Sequence, residues 1–266
     1  PFLEYFLYLK GVKFVLDFDD AIFHNYDNHS NFLAKQFFKN KIPVIAKISS
    51  YIISGSPYLT EYLKKYNCNI SEIPTSIDFD IYQSKIKTKD FIPNEIVIGW
   101  IGSKTTSYNL LKLRDVFISL IEKFPNLQFH FCGFDNSLIS EFSFNNSYFF
   151  NWSPEIEYDF LNSIDIGIMP LEDNLFNKGK CGFKLIQYMA VGKPTISFPF
   201  ESNIKINRGN ENKFASNTLE WSNVLTDMIL NIDYYRSVGI KNIEIIKNEY
   251  SIQSNFSKYI SIFNSL

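Results

Sequence analysis

Gly179-Lys-Cys-Gly-Phe-Lys-Leu-Ile-Gln-Tyr-Met-Ala-Val-Gly-Lys-Pro194 is the stretch that decides the fold of this chain. On a helix of 3.6 residues per turn, Lys180, Lys184, Gln187 and Val191 share a narrow stripe, and Phe183, Ile186, Met189 and Ala190 fall on the other side. Gly182 belongs to the first turn, Gly192 stands where a C-terminal cap is expected, and Pro194 forbids continuation. Two lysines therefore open a helix whose N-terminus already carries partial positive charge. Each costs about 0.3–1 kcal/mol there unless an anion is bound. A pair of solvated surface lysines is the plain alternative. The neighbouring glycines and the preceding strand-like Ile164-Asp-Ile-Gly-Ile-Met169 weigh towards a bound phosphate.

The 266 residues are 45% hydrophobic, enough for a well-buried core and for two domains or parts of them. A formal net charge of −2 supplies no broad footprint for nucleic acid or an anionic membrane, so any anion site is local. No apolar run reaches the ~18–20 residues that span a bilayer. Pro1-Phe-Leu-Glu-Tyr-Phe-Leu-Tyr-Leu9 lacks the basic start and cleavage site of a signal peptide, which points to a cytoplasmic protein. Cys68, Cys132 and Cys181 are odd in number and widely spaced, as reduced thiols are, and form neither a disulfide framework nor a zinc site. Cys181 has no Cys/His pattern to activate it and reads as structural. The chain opens on Pro1 and resembles the middle of a domain from its first residues, so a segment upstream is expected.

Residues 2–10 carry a helical pattern, and Val12-Lys-Phe-Val-Leu-Asp-Phe18 is the short apolar run of a buried parallel strand. It ends in Asp17-Phe-Asp-Asp20. Open α/β sheets place ligands at such strand ends, so Asp19 and Asp20 are candidates for holding a substrate hydroxyl or for proton transfer, with helix or turn capping as the competing role. His24 and His29 fall in a polar loop with no evident partner and read as surface residues. A helix is expected over 31–40, a strand in Tyr51-Ile-Ile-Ser-Gly-Ser56, then a helix over 58–66 with Pro57 in its first turn and Ser56 as cap. A strand over 69–73 follows. The lysine-bearing stretch 83–90, where apolar periodicity stops, is the best domain boundary.

The second unit opens with the strand Glu95-Ile-Val-Ile-Gly-Trp-Ile-Gly102, the loop Ser103-Lys-Thr-Thr-Ser-Tyr-Asn109 and an amphipathic helix over 110–123. Gly102 permits close backbone approach, and Ser103, Lys104, Thr105 and Thr106 offer donors at a helix entry, half of a phosphate cradle. It is neither a P-loop nor a Gly-x-Gly-x-x-Gly fingerprint, which disfavours a dinucleotide oxidoreductase. Strands at 127–133, 148–152, 164–169 and 195–198 alternate with helices at 154–162, 182–191, 218–231 and 234–247, with a loop at 171–176 and a last helix over 251–266. His130 sits among core positions as a buried, satisfied histidine. The alternation indicates an α/β protein with a parallel sheet covered on both faces.

Val15-Leu-Asp-Phe-Asp-Asp-Ala-Ile-Phe23, Ile53-Ser-Gly-Ser-Pro-Tyr-Leu59, Ile73-Pro-Thr-Ser-Ile-Asp78, Ile98-Gly-Trp-Ile-Gly-Ser103, Asp165-Ile-Gly-Ile-Met-Pro-Leu171 and residues 179–194, taken as a set, resemble the large retaining glycosyltransferase family called glycosyl transferases group 1. Its architecture is GT-B, two Rossmann-like domains. The resemblance implies a partial, incomplete N-terminal acceptor-side domain over 1–83, a nucleotide-sugar-binding domain over 84–250, and a C-terminal helix over 251–266 returning to the first domain.

It further implies a sugar moved from a nucleoside diphosphate donor, UDP-linked, to a glycan or lipid-linked acceptor, with retention and without a metal or other cofactor. That is a hexosyltransferase-like activity in polysaccharide biosynthesis. A lipid-linked acceptor would bring peripheral contact with the inner face of the membrane. Gly182, Phe183 and the helix they open would face the donor diphosphate and ribose. Gln187 stands at the second glutamate of the family's Glu-x7-Glu motif, and the first would fall at Gly179 and is absent. Lys180 and Lys184 would stabilise the leaving group, each such contact contributing on the order of ~2–4 kcal/mol. Ser103, Lys104 and Thr105 would sit across the phosphates, Gly133 and Trp152 near the base, and Asp19 and Asp20 on the acceptor side. The alternative function is a non-catalytic nucleotide-sugar-binding module or degenerate fragment, given the absent glutamate and an N-terminal part shorter than the family's.

Overall fold

The computed structural model describes residues 2–27, 31–87, 95–207 and 211–266. His29 and the end of the 83–90 stretch lie outside them. The first unit holds three parallel strands, β1 (Val15–Phe18), β2 (Tyr51–Ser54) and β3 (Ile70–Glu72), in the order β1-β2-β3. Helix Pro57–Leu63 follows β2, its N-cap Ser56 accepting from the Leu59 amide, as the Ser-Pro pair predicts. Helix Lys41–Ile48 was not expected. Its Pro43 reads as a breaker, yet it lies in the first turn, where its missing N–H costs nothing. Helix Phe2–Leu9 buries none of its residues.

The second unit is a six-stranded, all-parallel sheet of β4 (Ile96–Ile101), β5 (Leu127–Cys132), β6 (Ser147–Phe150), β7 (Ile166–Met169), β8 (Thr195–Ser197) and β9 (Lys213–Phe214). Its order, β6-β5-β4-β7-β8-β9, reverses direction between β4 and β7, the switch point where doubly wound sheets bind ligands. Alternation along β4 separates the two faces: Val97 and Ile101 pack with Leu161, Leu185 and Tyr188, whereas Ile98 and Trp100 pack with Phe117, Phe129 and Leu225. Both faces are covered by helices, as the strand–helix alternation predicts.

Two local expectations are corrected and one helix is added. The helix expected from residue 110 begins earlier, as a 3-10 segment Lys104–Leu113 started by a Ser103/Thr106 capping box, and becomes α-helical only over Arg114–Lys123. Leu175–Lys178 forms a short helix where a loop was expected, capped by Asn174. Phe79–Ser84 is helical, and its Phe79 and Tyr82 pack into the core beneath the second sheet.

Two segments are among those that tie the units together. Residues 179–181 lean on the first unit, where Cys181 joins the core of Phe18, Ala21, Ile52 and Leu59 and the Ser56 hydroxyl donates to the Gly179 carbonyl. At the other crossing, Ile77 bridges Ser251, and the final helix Ile252–Ser265 lays Tyr259 and Ile262 against Ile53 and Ile73.

Candidate functional site

The carboxyl ends of β1, β4, β5 and β6 face one cleft of about 790 Å³ between the units. Its walls carry Asp19 and Asp20 after β1, Gly102, Ser103, Lys104 and Thr106 after β4, Gly133 after β5, Asn151 and Trp152 after β6, and Lys180, Gly182, Phe183, Lys184 and Gln187 from the stretch after β7. Every site residue expected from sequence is there except Thr105. Thr106 lines the wall in its place, with its hydroxyl donating to the Ser103 carbonyl at 2.9 Å, while the Thr105 hydroxyl lies 3.0 Å from that of Ser103.

The turns after β4 and β5 lie against one another. Gly133 has φ +71°, and a Cβ on it would collide with the Gly102 carbonyl oxygen, so only glycine fits. The adjoining cleft wall exposes backbone that a ligand can approach.

The lysines are not arranged as the helical stripe predicts. Gly182 is the N-cap, in the left-handed conformation at φ +70°, and the helix proper is Phe183–Ala190. Lys180 therefore precedes the helix. Its ammonium lies 2.9 Å from both carboxylate oxygens of Asp20 and 4.9 Å from the centroid of the Phe176 ring. Phe183, expected on the apolar side, is exposed at the cleft, because it is the first residue of the helix and stands at the end that opens on the cleft. Lys184 points back towards β4, its ammonium 5.6 Å from the Trp100 ring centroid. It has no hydrogen bond or ion pair among the described residues. Burial, and then the charge of Lys180, pull its pKa down from 10.5 to about 8, against the opposing pull of Asp20.

Gln187 is buried on the same wall. Its Nε2 donates to the Tyr82 hydroxyl at 3.3 Å, Tyr82 donates to Glu157 Oε1 at 2.7 Å, and the Trp152 indole N–H donates to Glu157 Oε2 at 2.9 Å. Tyr82 and Glu157 went unnoticed in the sequence; an aromatic and a glutamate on amphipathic helices carry no motif. Thr75, Asn151 and Phe134 also line the cleft unannounced.

Cys181 is structural, as read: its Sγ donates to the Asp19 carbonyl at 2.8 Å, and burial pushes the thiol up to about 12. His24 is no free surface residue. Its ring bonds Asp27 through Nδ1 and Tyr58 through Nε2, both at 2.8 Å. His130 bonds Gln128. Among the described residues no group of three or more His, Cys, Asp or Glu side chains is placed to hold a metal ion, and no helix is long and apolar enough to cross a membrane.

No protein-family model and no curated protein matches the sequence. The fold does have counterparts among solved structures. HepE from Anabaena, in complex with UDP-glucose, matches with a TM-score of 0.74 at 12% identity, over 99% of this chain and 75% of its own. Sucrose-phosphate synthase from Thermosynechococcus elongatus gives 0.71 at 11% identity, over 96% of this chain and 69% of its own. A variant of TarM from S. aureus, in complex with fondaparinux, α-GlcNAc-glycerol and UDP, gives 0.68 at 15%, over 96% and 51%. At these identities the likeness is one of fold, and this chain has the α/β, GT-B-type fold of two Rossmann-like units.

Proposed function

We propose that the chain is a glycosyltransferase that moves a hexosyl group from a nucleoside diphosphate donor, UDP-linked, to a glycan or lipid-linked acceptor, with retention and without a metal. The observation that carries this reading is Lys184, an ammonium with no hydrogen bond or ion pair among the described residues, on the wall of a cleft formed at the strand ends of a GT-B fold. A partly buried cation without a counter-charge is costly, and a diphosphate is the anion this wall suits. The HepE and TarM complexes with uridine nucleotides support the choice of donor.

In this reading residues 84–250, with Tyr82 contributed by the helix just before them, hold the donor, the rest of residues 1–83 face the acceptor, and residues 251–266 close the chain back onto the acceptor side. When the bond from the sugar C1 to the diphosphate oxygen breaks, its electron pair stays on that oxygen. Lys184 and the amides at the turn of Gly182 and Phe183 then meet more negative charge than in the ground state, which lowers the barrier. Ser103, Lys104 and Thr106 reach the phosphates from the opposite wall. Asp19, whose carboxylate has no hydrogen bond or ion pair among the described residues, accepts the hydroxyl proton of the acceptor as the acceptor oxygen joins C1 on the face from which the diphosphate leaves, as retention requires, while Asp20 is engaged by Lys180. A lipid-linked acceptor would set the work at the inner face of the membrane, a glycan in the cytoplasm.

UDP and UDP-glucose should raise the melting temperature of the wild type and leave Lys184→Ala unmoved, with UDP released on addition of acceptor. No shift with either nucleotide ends the reading. A second reading, a module that binds nucleotide sugar without turnover, is favoured by the Lys180–Asp20 pair, which withdraws one of the cleft's three lysine ammonium groups from the phosphates. Stabilisation by UDP-glucose with no turnover under any acceptor would select it.

A further inference from the structure

The chain of bonds Trp152–Glu157–Tyr82–Gln187 joins three parts of the sequence behind one wall of the cleft, with Trp152, Glu157 and Gln187 lining it and Tyr82 buried between them. Its direction follows from donor and acceptor inventory. The indole can only donate, and the Glu157 carboxylate accepts from it with one oxygen and from the Tyr82 hydroxyl with the other. Burial and the adjacent Glu157 carboxylate raise the Tyr82 pKa, so the phenol keeps its proton. With its hydrogen committed to Glu157, Tyr82 Oη can only accept, and what it accepts is the Gln187 amide N–H. The orientation of a glutamine amide is assigned from such bonds, and here they leave one choice. Gln187 Oε1 is then the free group, with no hydrogen-bond partner among the described residues, on a residue that lines the cleft.

We propose that Glu157 is the positioning residue for the nucleoside half of the cleft. It holds the Trp152 ring as a platform for the base and, through Tyr82, locks Gln187 with its carbonyl oxygen presented to a ribose hydroxyl. A site so built prefers a ribonucleotide: a deoxy analogue leaves Oε1 unpaired, and the amide cannot turn to compensate without breaking its bond to Tyr82. This rests on the donor reading above.

The test is calorimetric titration of wild type, Tyr82→Phe and Glu157→Gln with UDP, 2′-deoxy-UDP, 3′-deoxy-UDP and inorganic pyrophosphate. The wild type should prefer UDP over at least one deoxy analogue by about tenfold, the value of one hydrogen bond. Both variants should lose most of that preference while binding pyrophosphate as the wild type does, a separation that general loosening of the fold does not produce. Wild type that binds UDP without discriminating the deoxy analogues, or variants that keep the preference, overturn the proposal and leave the donor reading standing. Wild type that binds no uridine nucleotide removes both. Should Tyr82→Phe fail to fold, Glu157→Gln, at a half-buried position on the cleft, carries the test alone.

Discussion

The Lys180 ammonium is shared equally between the two carboxylate oxygens of Asp20, 2.9 Å from each, although 160 positions separate the residues in sequence. Asp20 lies two residues past the first strand of one unit, and Lys180 precedes the cleft helix of the other. The pair therefore spans the cleft and occupies a cation that would otherwise face a phosphate. It is also one charge in the environment of Lys184, whose protonation Asp20 favours and Lys180 opposes.

Replacing Asp20→Asn should release Lys180 to the ligand. The expected result is tighter binding of UDP, by about 2–10-fold, the range of a partly solvated charge contact. The gain should shrink as salt is raised, because the freed cation is accessible to screening. Titration calorimetry at two ionic strengths measures it. An affinity that does not change would mean that Lys180 cannot reach the phosphates even when free.

Lys184 should show opposite effects on binding and on stability. With a pKa of about 8 it is charged in the empty cleft below that pH and loses its proton as pH rises through it. UDP-glucose, whose diphosphate stays ionised throughout, should bind with constant affinity from pH 6.5 to 7.5 and progressively more weakly above 8, by up to about tenfold per pH unit. For stability the sign reverses: between about 8 and 10.5 the unfolded chain holds more protons at this site than the empty fold, so this group's contribution to stability rises with pH across that window. Lys184→Met should accordingly raise the melting temperature of the empty protein near pH 7, by about 2–4 °C for ~1 kcal/mol, and abolish the response to UDP-glucose. Loss of stability in Lys184→Met would show that the ammonium is already compensated.

Residues that sit one to three places past a strand were legible in the sequence, because a parallel sheet carries all its strand ends to one side. The apolar run of β4 therefore led to Gly102 and Ser103, and that of β5 to Gly133. Ser56 and Pro57 announced their helix by local chemistry alone. Pairings at long range were not legible. Glu157 meets Tyr82 across 75 positions and Gln187 meets Tyr82 across 105, and nothing in either neighbourhood signals the other. Lys180 was set on the helix because the handedness of φ at Gly182 has no trace in the spacing of side chains. Of the two partners of His24, Asp27 comes within reach only when residues 24–27 form a helical turn where a loop is expected, and Tyr58 arrives from a helix 34 positions on.

Tyr188 offers a test of the switch point itself. Strands β4 and β7 pair only at Ile98–Ile166 and Gly99–Gly167, and beyond these the Tyr188 hydroxyl stands between them, accepting from the Ile101 amide at 2.9 Å and donating to the Ile168 carbonyl at 3.2 Å. The side chain is fully buried. Tyr188→Phe leaves two backbone groups without partners in the interior, at about 1–3 kcal/mol. Urea unfolding should report that loss with an unchanged slope, and UDP affinity should fall as well, because Ile101 is followed at once by Gly102 and Ser103 of the cleft. A variant as stable as the wild type would mean that the strands close up on their own.

The three cysteines should separate cleanly by reactivity. Cys68 is exposed, whereas Cys132 and Cys181 are buried with thiols pushed up to about 12, chiefly by desolvation. Only the thiolate attacks an alkylating agent, so at pH 8 both buried sulfurs are held back by access and by protonation together. Iodoacetamide should modify Cys68 within minutes, and mass spectrometry should find one adduct on the folded protein and three after denaturation. Cys181 makes the sharper case. It lies on the cleft wall, where a nucleophilic cysteine would be modified early and would be protected by UDP. Its S–H instead donates to the Asp19 carbonyl and its sulfur packs in the core of the first unit, so Cys181 should label only when the two units part, at the rate of unfolding and independently of nucleotide apart from the ligand's effect on stability. Rapid labelling of Cys181 in the native state would assign it to the chemistry of the cleft and rule out a purely structural role.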